Sequence, residues 1–256
     1  MKKMIIKTIN VSDNKENYSQ RNNKINPSST CGPTNMVQAL DYCGWEFPID
    51  PDYPQPEDAF TKFCRTNEEV IEYYQKHYPS MFNNWMMDMK KINSTDAWKE
   101  NFPNSFPPNE VHDVLNFAAN KWMGYNKNEI TKFVEDAYED DIDESLFEGR
   151  PVVCSVKFGN YGHIITIVGM DIETNEEYKD VSAEDFFNYG YFNGPDTIKN
   201  YIIDDTYGQF DFSTNKYHSV SGNDTRIERT KFLSTLKPLG SERIMTHFFK
   251  KGPATI

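Results

Sequence analysis

Three short runs in the second half of the chain restrict its fold more than any other feature: PVVCSVK (Pro151–Lys157), HIITIVGM (His163–Met170) and YIID (Tyr201–Asp204). Each is rich in β-branched residues and bounded by Gly, Asn or Pro, the pattern of half-buried antiparallel strands. RIMTHFF (Arg243–Phe249), after a turn at Gly240, predicts a last strand, and Ile5–Val11 a first one. The earlier half has a different period. From Cys31 the apolar residues Met36, Val37, Ala39 and Leu40 recur at helical spacing, with Thr30 as N-cap, Pro33 in the first turn and Gly44 as the stop. Further helices are expected over Glu57–His77, Asn109–Trp122 and Lys127–Tyr138, and prolines set off an aromatic, Met-rich segment around Met81–Trp98. Helices followed by a sheet predict an α+β architecture. With no internal repeat or low-complexity linker, residues 1–256 are expected to form a single domain carrying a helical insertion over about 45–138.

At 256 residues the chain can bury a large core without disulfide staples, and a net charge of -12 argues against a nucleic-acid partner. The four cysteines, at 31, 43, 64 and 154, form no Cys-x-x-Cys pair, so they are expected to be reduced and not to bind metal. The acidic run Glu135–Glu144 lacks the spacing of a calcium loop and reads as a solvated helix face. No metal or other cofactor is expected. The opening MKKMIIKTINV has only Met4-Ile5-Ile6 where a secretory signal needs an apolar core of about 7 to 15 residues. No run approaches the ~18 apolar residues of a membrane span. The expectation is a soluble product, cytoplasmic at synthesis, without membrane insertion.

Cys31 stands where a helix begins, and the free N–H groups and positive dipole end there stabilise a thiolate. Such a nucleophile needs an imidazole to take its proton. Of the five histidines, His163 lies in a glycine-flanked turn before the most apolar strand, the best place from which to aim a ring. His77 and His112 are expected on helix surfaces, His218 in a polar loop, and His247 packed or solvated in the last strand. A carboxylate or amide should hold the imidazole, and Asp204 and Asp205 point to opposite faces of one strand, so only one can reach it. The choice falls on Asp205, with Asp204 expected to face solvent or cap the turn. An oxyanion would find donors in the Cys31 backbone N–H and a side-chain amide of the preceding loop: Gln20, Asn22, Asn23 or Asn26.

The order Gln20, then Thr30-Cys31-Gly32-Pro33-Thr34, Gly149-Arg150-Pro151-Val152-Val153, Gly162-His163, Val168-Gly169-Met170 and Asp205-Thr206-Tyr207-Gly208 resembles the papain-like cysteine peptidases of the bacteriocin-leader-peptidase-like branch. The resemblance covers residues 5 to 50 and 140 to 212 and departs from the branch where relatives often have Asp-Pro. It implies a papain-like core, with the N-terminal helix that carries the nucleophile packed on a C-terminal antiparallel sheet. It also implies Cys31 as nucleophile, His163 as base and later acid, Asp205 as orienter and Gln20 as oxyanion donor. Cys43, Cys64 and Cys154 are then structural, and the aromatics Tyr73, Tyr74, Tyr78, Phe82, Trp85 and Trp98 pack the insertion. The activity implied is hydrolysis of a peptide or isopeptide bond through a thioester. Peptidoglycan peptide is the first substrate expected, as for an endolysin-like enzyme released by a phage-type lysis route. A polypeptide substrate, acyl transfer, or a silent binding module with the same fold are the alternatives.

Overall fold

The computed structural model describes residues 3–12, 15, 17–83, 108–159, 161–194, 197–218, 221–236 and 244–253. It is an α+β fold consistent with a papain-like core. Strand β1 (Met4–Asn10) is followed by a 3-10 turn at Gln20–Asn22 and by helices α1 (Cys31–Tyr42), α2 (Pro56–Thr66), α3 (Glu68–His77) and α4 (Pro108–Trp122). Next come β2 (Thr131–Ala137), α5 (Glu139–Phe147), β3 (Val152–Phe158), β4 (Tyr161–Asn175), α6 (Ala183–Asn188) and β5 (Ile198–Asp205). The short strands β6 (Phe210–Asp211) and β7 (Lys216–Tyr217), then β8 (Gly222–Glu228), α7 (Arg229–Leu236) and β9 (Ile244–Phe249), complete the order.

The seven-stranded antiparallel sheet runs β2-β9-β3-β4-β5-β8, with β1 also paired to β4. β5 occupies one edge of β4 from Thr166 to Ile172, while β3 and then β1 share the other, from Tyr161 to Ile167 and Gly169 to Asn175. Both faces of the sheet are covered. Met36, Leu40, Phe60, Val70, Leu115 and Ala118 of α1–α4 pack with Val153 and Ile164 on one side. Ile142, Leu146, Phe186, Phe232 and Leu236 of α5–α7 pack with Cys154, Ile165 and Ile167 on the other. That double cover explains why HIITIVGM is apolar at successive positions instead of alternating. Burying a side chain such as Ile165 contributes about 1.5–3 kcal/mol.

Several sequence expectations need correction. The helix expected over Glu57–His77 is two, because the Asn67 side chain accepts from Val70 N at 3.2 Å and starts α3 afresh. The helix expected over Lys127–Tyr138 is β2. Its apolar residues Ile130, Phe133, Val134 and Ala137 fit a helical period, but Asn120 Oδ1 accepts from Ile130 N at 2.9 Å and β9 offers an edge to pair with, so tertiary context overrides the pattern. The acidic run is a solvated helix face only in part: Glu135, Asp136, Asp140, Asp141 and Glu144 are exposed, but the run is not one helix. It spans β2 and α5, and Asp143 within it is buried against the Tyr201 hydroxyl, its carboxyl pushed up to about 8 mainly by that burial. Glu139 pairs with Arg229 at 2.7 Å. Finally, β6–β8, α6 and α7 were not foreseen. Met81–Trp98 mostly lies outside the described residues, as do Gly240 and Arg243. Among the described residues no helix is long and apolar enough to cross a membrane.

His112 is not on a helix surface but fully buried, with Nδ1 2.7 Å from His247 Nε2 and Nε2 2.5 Å from Ser155 Oγ. Burial drives the His112 pKa down to about 3 and that of His247 well below its ordinary value. Both imidazoles are therefore neutral when folded, whereas the unfolded chain protonates them below about pH 6.5. Stability from this pair is complete above that pH and is lost as pH falls toward 3, at up to about 1.4 kcal/mol per histidine per unit. Urea unfolding at pH 7 and pH 5 should show the wild type losing more stability than His247→Leu. Equal losses in the two proteins would remove this account.

Candidate active site

α1 begins at Cys31, with Thr34 N bonded to Thr30 O at 3.0 Å in its first turn. Thr30 does not cap through its side chain as expected. Instead Asn23 Nδ2 donates to Thr30 Oγ1 at 2.9 Å and Thr34 Oγ1 at 3.0 Å, fastening the preceding loop to the helix start. Asp58 continues the job from α2, accepting from Lys24 N at 3.0 Å and Ile25 N at 3.1 Å. The half-buried Cys31 is thus held at an N-terminus whose own backbone it shares with a tightly bonded loop.

His163 lies within β4, paired with Val156, and not in a turn before the strand. Its Nε2 is 2.8 Å from Asp205 Oδ1, which also accepts from Tyr207 N at 2.9 Å. With Nε2 committed to the carboxylate, Nδ1 is the ring nitrogen that remains for Cys31, to which the imidazole is hydrogen-bonded. Burial raises the Cys31 pKa, but that bond, the charge of His163 and the backbone at Ile164 and Gly32 outweigh it and bring the thiol below its ordinary value. Burial also works against protonation of His163, yet the Asp205 carboxylate and Cys31 raise its pKa above the usual range. Both shifts favour a thiolate–imidazolium pair near neutrality. The other thiols behave oppositely: burial raises Cys43 to about 12, and Cys64 and Cys154 are raised as well. All four cysteines are free.

A pH profile should follow. Iodoacetamide should modify Cys31 at pH 6, where the other thiols stay protonated, with a plateau through neutrality and a second change only when His163 loses its proton at alkaline pH. Alkylation that rises in one step near the ordinary thiol pKa of about 8.5 would remove the ion pair.

Of the two aspartates, Asp205 meets the histidine. Asp204 does not face solvent, contrary to expectation. It is fully buried, accepting from the Tyr42 hydroxyl and from Asp224 N, each at 2.7 Å, and burial raises its carboxyl to about 6. It thereby ties the end of α1 to β5. A glycine protects the neighbouring position, because a Cβ on Gly222 would come within 2.3 Å of Asp205 O and 2.8 Å of Asp205 Cβ.

Gln20 is buried at the 3-10 turn, with its N–H on Thr206 O at 3.0 Å, its Nε2 on Pro27 O at 3.0 Å and its Oε1 accepting from Thr206 Oγ1 at 2.9 Å. Asn23, a rival for its role, is spent on Thr30 and Thr34. Asn26 takes a positive φ of 40° and accepts from Ser28 Oγ. Sequence reasoning missed the aromatic wall around the imidazole. Phe158, Tyr207 and Tyr217 place ring centroids 6.4, 6.4 and 5.8 Å from that of His163. Tyr207 was visible in the Asp-Thr-Tyr-Gly motif, whereas Tyr217 comes from a two-residue strand that carries no usable pattern. Burial, and then the charges of Asp205 and Cys31, keep the Tyr217 hydroxyl protonated. Exposed Arg21 lays its guanidinium 4.4 Å from the Tyr207 ring centroid and donates to Tyr207 O. Among the described residues no group of three or more His, Cys, Asp or Glu side chains is arranged to hold a metal ion.

A cysteine at a helix start, joined to a strand histidine under this α+β sheet, is the arrangement of a papain-like cysteine peptidase. The model of the Peptidase_C39 like family matches residues 13–185, well over half of the chain. The chain belongs to that family, and it is a cysteine peptidase. The matched span takes in the helical segment and both Cys31 and His163, and ends before β5, so Asp205 rests on geometry and on its motif. No curated protein matches the chain.

Proposed function

We propose that the chain hydrolyses a peptide or isopeptide bond with Cys31 as nucleophile, His163 as base and acid, Asp205 as orienter and Gln20 as oxyanion donor. The observation that carries the reading is the hydrogen-bonded line Asp205–His163–Cys31 ending at the start of α1. The thiolate attacks the carbonyl carbon, and the oxygen gains the negative charge. The Cys31 backbone N–H and the Gln20 amide oppose that charge, a contribution of roughly 3–4 kcal/mol per donor in the transition state. Imidazolium His163 gives its proton to the amide nitrogen, the C–N bond breaks, and the amine leaves a thioester. Water then attacks, giving a proton to His163. Collapse releases the acid and restores the thiolate and imidazolium.

Peptidoglycan peptide is the proposed substrate. Its stem peptides carry free carboxylates, and Arg21 offers an exposed cation at the edge of the aromatic wall, where a carboxylate would pair with it. The test is to compare the purified chain and Cys31→Ala on peptidoglycan, reading free amines and turbidity, and on casein and unmodified peptides. Release of stem-peptide amines by the wild type alone supports the proposal. Cleavage of casein without any action on peptidoglycan keeps the peptidase and replaces the substrate with a polypeptide.

A further inference from the structure

Asn35, one turn into α1 and fully buried, reaches the helix start, β4 and the residue that follows β5. Its Nδ2 lies 2.8 Å from Cys31 O, 2.7 Å from Ile164 O in β4 and 3.1 Å from Thr206 Oγ1, while its Oδ1 accepts from Thr166 Oγ1 at 2.8 Å. The orientation of this amide is forced, since a flip would set Oδ1 against two carbonyl oxygens. The two N–H groups of Asn35 go to the two carbonyl oxygens, and Thr206 Oγ1 at 3.1 Å packs against the same nitrogen. The direction of the Thr206 proton is set by Gln20, whose Nε2 must face Pro27 O and whose Oε1 can therefore only accept. Gln20 Oε1 receives that proton at 2.9 Å.

We infer that Thr206 is a positioning residue that holds the Gln20 carboxamide in place by donating its hydroxyl proton to Gln20 Oε1, with Asn35 packed behind that hydroxyl. Gln20 Oε1 is held on the Thr206 hydroxyl, so Nε2 takes the opposite side of the carboxamide. One N–H of that nitrogen goes to Pro27 O at 3.0 Å, and the second remains for an oxyanion. The two bonds from Asn35 to Cys31 O and Ile164 O hold the nucleophile's helix turn against the strand that carries His163, while Thr206 holds the donor. This rests on the reading of Cys31 as nucleophile and Gln20 as oxyanion donor.

Two reagents separate the donor from the nucleophile. Iodoacetamide needs only the thiolate. Acylation by p-nitrophenyl acetate passes through an oxyanion, as the thiolate attacks the ester carbonyl and p-nitrophenolate leaves an acetyl thioester. Thr206→Val, close in shape but without the hydroxyl, should slow acylation of Cys31 on the order of 10- to 100-fold and leave its iodoacetamide rate at pH 6 within about twofold. Thr206→Ser should recover most of the lost rate, and Thr206→Val combined with Gln20→Ala should be no slower than Gln20→Ala alone. A rate for Thr206→Val equal to wild type, a parallel loss with both reagents, or additive losses in the double variant would each overturn the inference. Thermal unfolding of each variant identifies any that fail to fold. Slow iodoacetamide modification of wild-type Cys31 at pH 6 would instead sink the nucleophile reading, and this inference with it.

Discussion

Cys31→Ala is expected to lower kcat/KM for amide hydrolysis by about 10⁴-fold or more, to a level set by substrate binding and the oxyanion donors alone. The reason lies in the site's division of labour. Only Cys31 joins a lowered pKa to a helix N-terminus, while the remaining thiols are buried with pKa values pushed upward and cannot substitute for it. His163→Ala should cost a similar factor, and the double variant little more, because the two act as one ion pair. Removing a half-buried sulfur leaves little cavity, so circular dichroism and urea unfolding should match wild type. Retention of more than about 1% of wild-type kcat/KM by a folded Cys31→Ala protein would end the cysteine-peptidase mechanism at this residue.

Asp205→Ala should reduce kcat by roughly 10²- to 10³-fold, the second largest effect expected. Its carboxylate holds His163 Nε2 at 2.8 Å and is the main influence raising the imidazole pKa against burial. Without it His163 loses its proton at lower pH, the thiolate loses its counter-charge, and the plateau of Cys31 alkylation should narrow from both ends. Asp204→Asn is the control. Asp204 is equally buried but bonded to Tyr42 and Asp224 N, so the variant should keep kcat within a few-fold while changing stability. The reverse ranking of these two variants would transfer the orienting role to Asp204.

How much of this was legible beforehand depended on whether a signal was local. Strands β3, β4 and β5 are β-branched and punctuated, so the sequence shows all three; β3 lies near its expected bounds, whereas β4 runs on to Asn175 and β5 starts at Ile198, where the pattern is weaker. α1 was equally plain from its period and its glycine stop. β2 was misread because its apolar spacing suits either element, and the deciding facts, the β9 edge and the Asn120 bonds, are remote in sequence. The same limit applies within the site. Cys31 and His163 stand in recognisable motifs, and alternation in β5 correctly separated Asp204 from Asp205. Alternation could not show that the face opposite His163 is itself buried, so Asp204, expected to face solvent or cap the turn, does neither. Asn35 resembled any polar residue in an amphipathic helix, because its importance comes from partners at 164, 166 and 206.

The bond between Gln20 and Thr206 spans 186 positions. Loop-closure entropy makes so distant a contact slow to form, and it comes late in folding. During synthesis, Cys31 leaves the ribosome long before β5 exists, so an incomplete chain has its thiol but neither the aspartate nor the threonine that complete the site. The line from Cys31 through His163 to Asp205 therefore closes only after about four-fifths of the chain has been made.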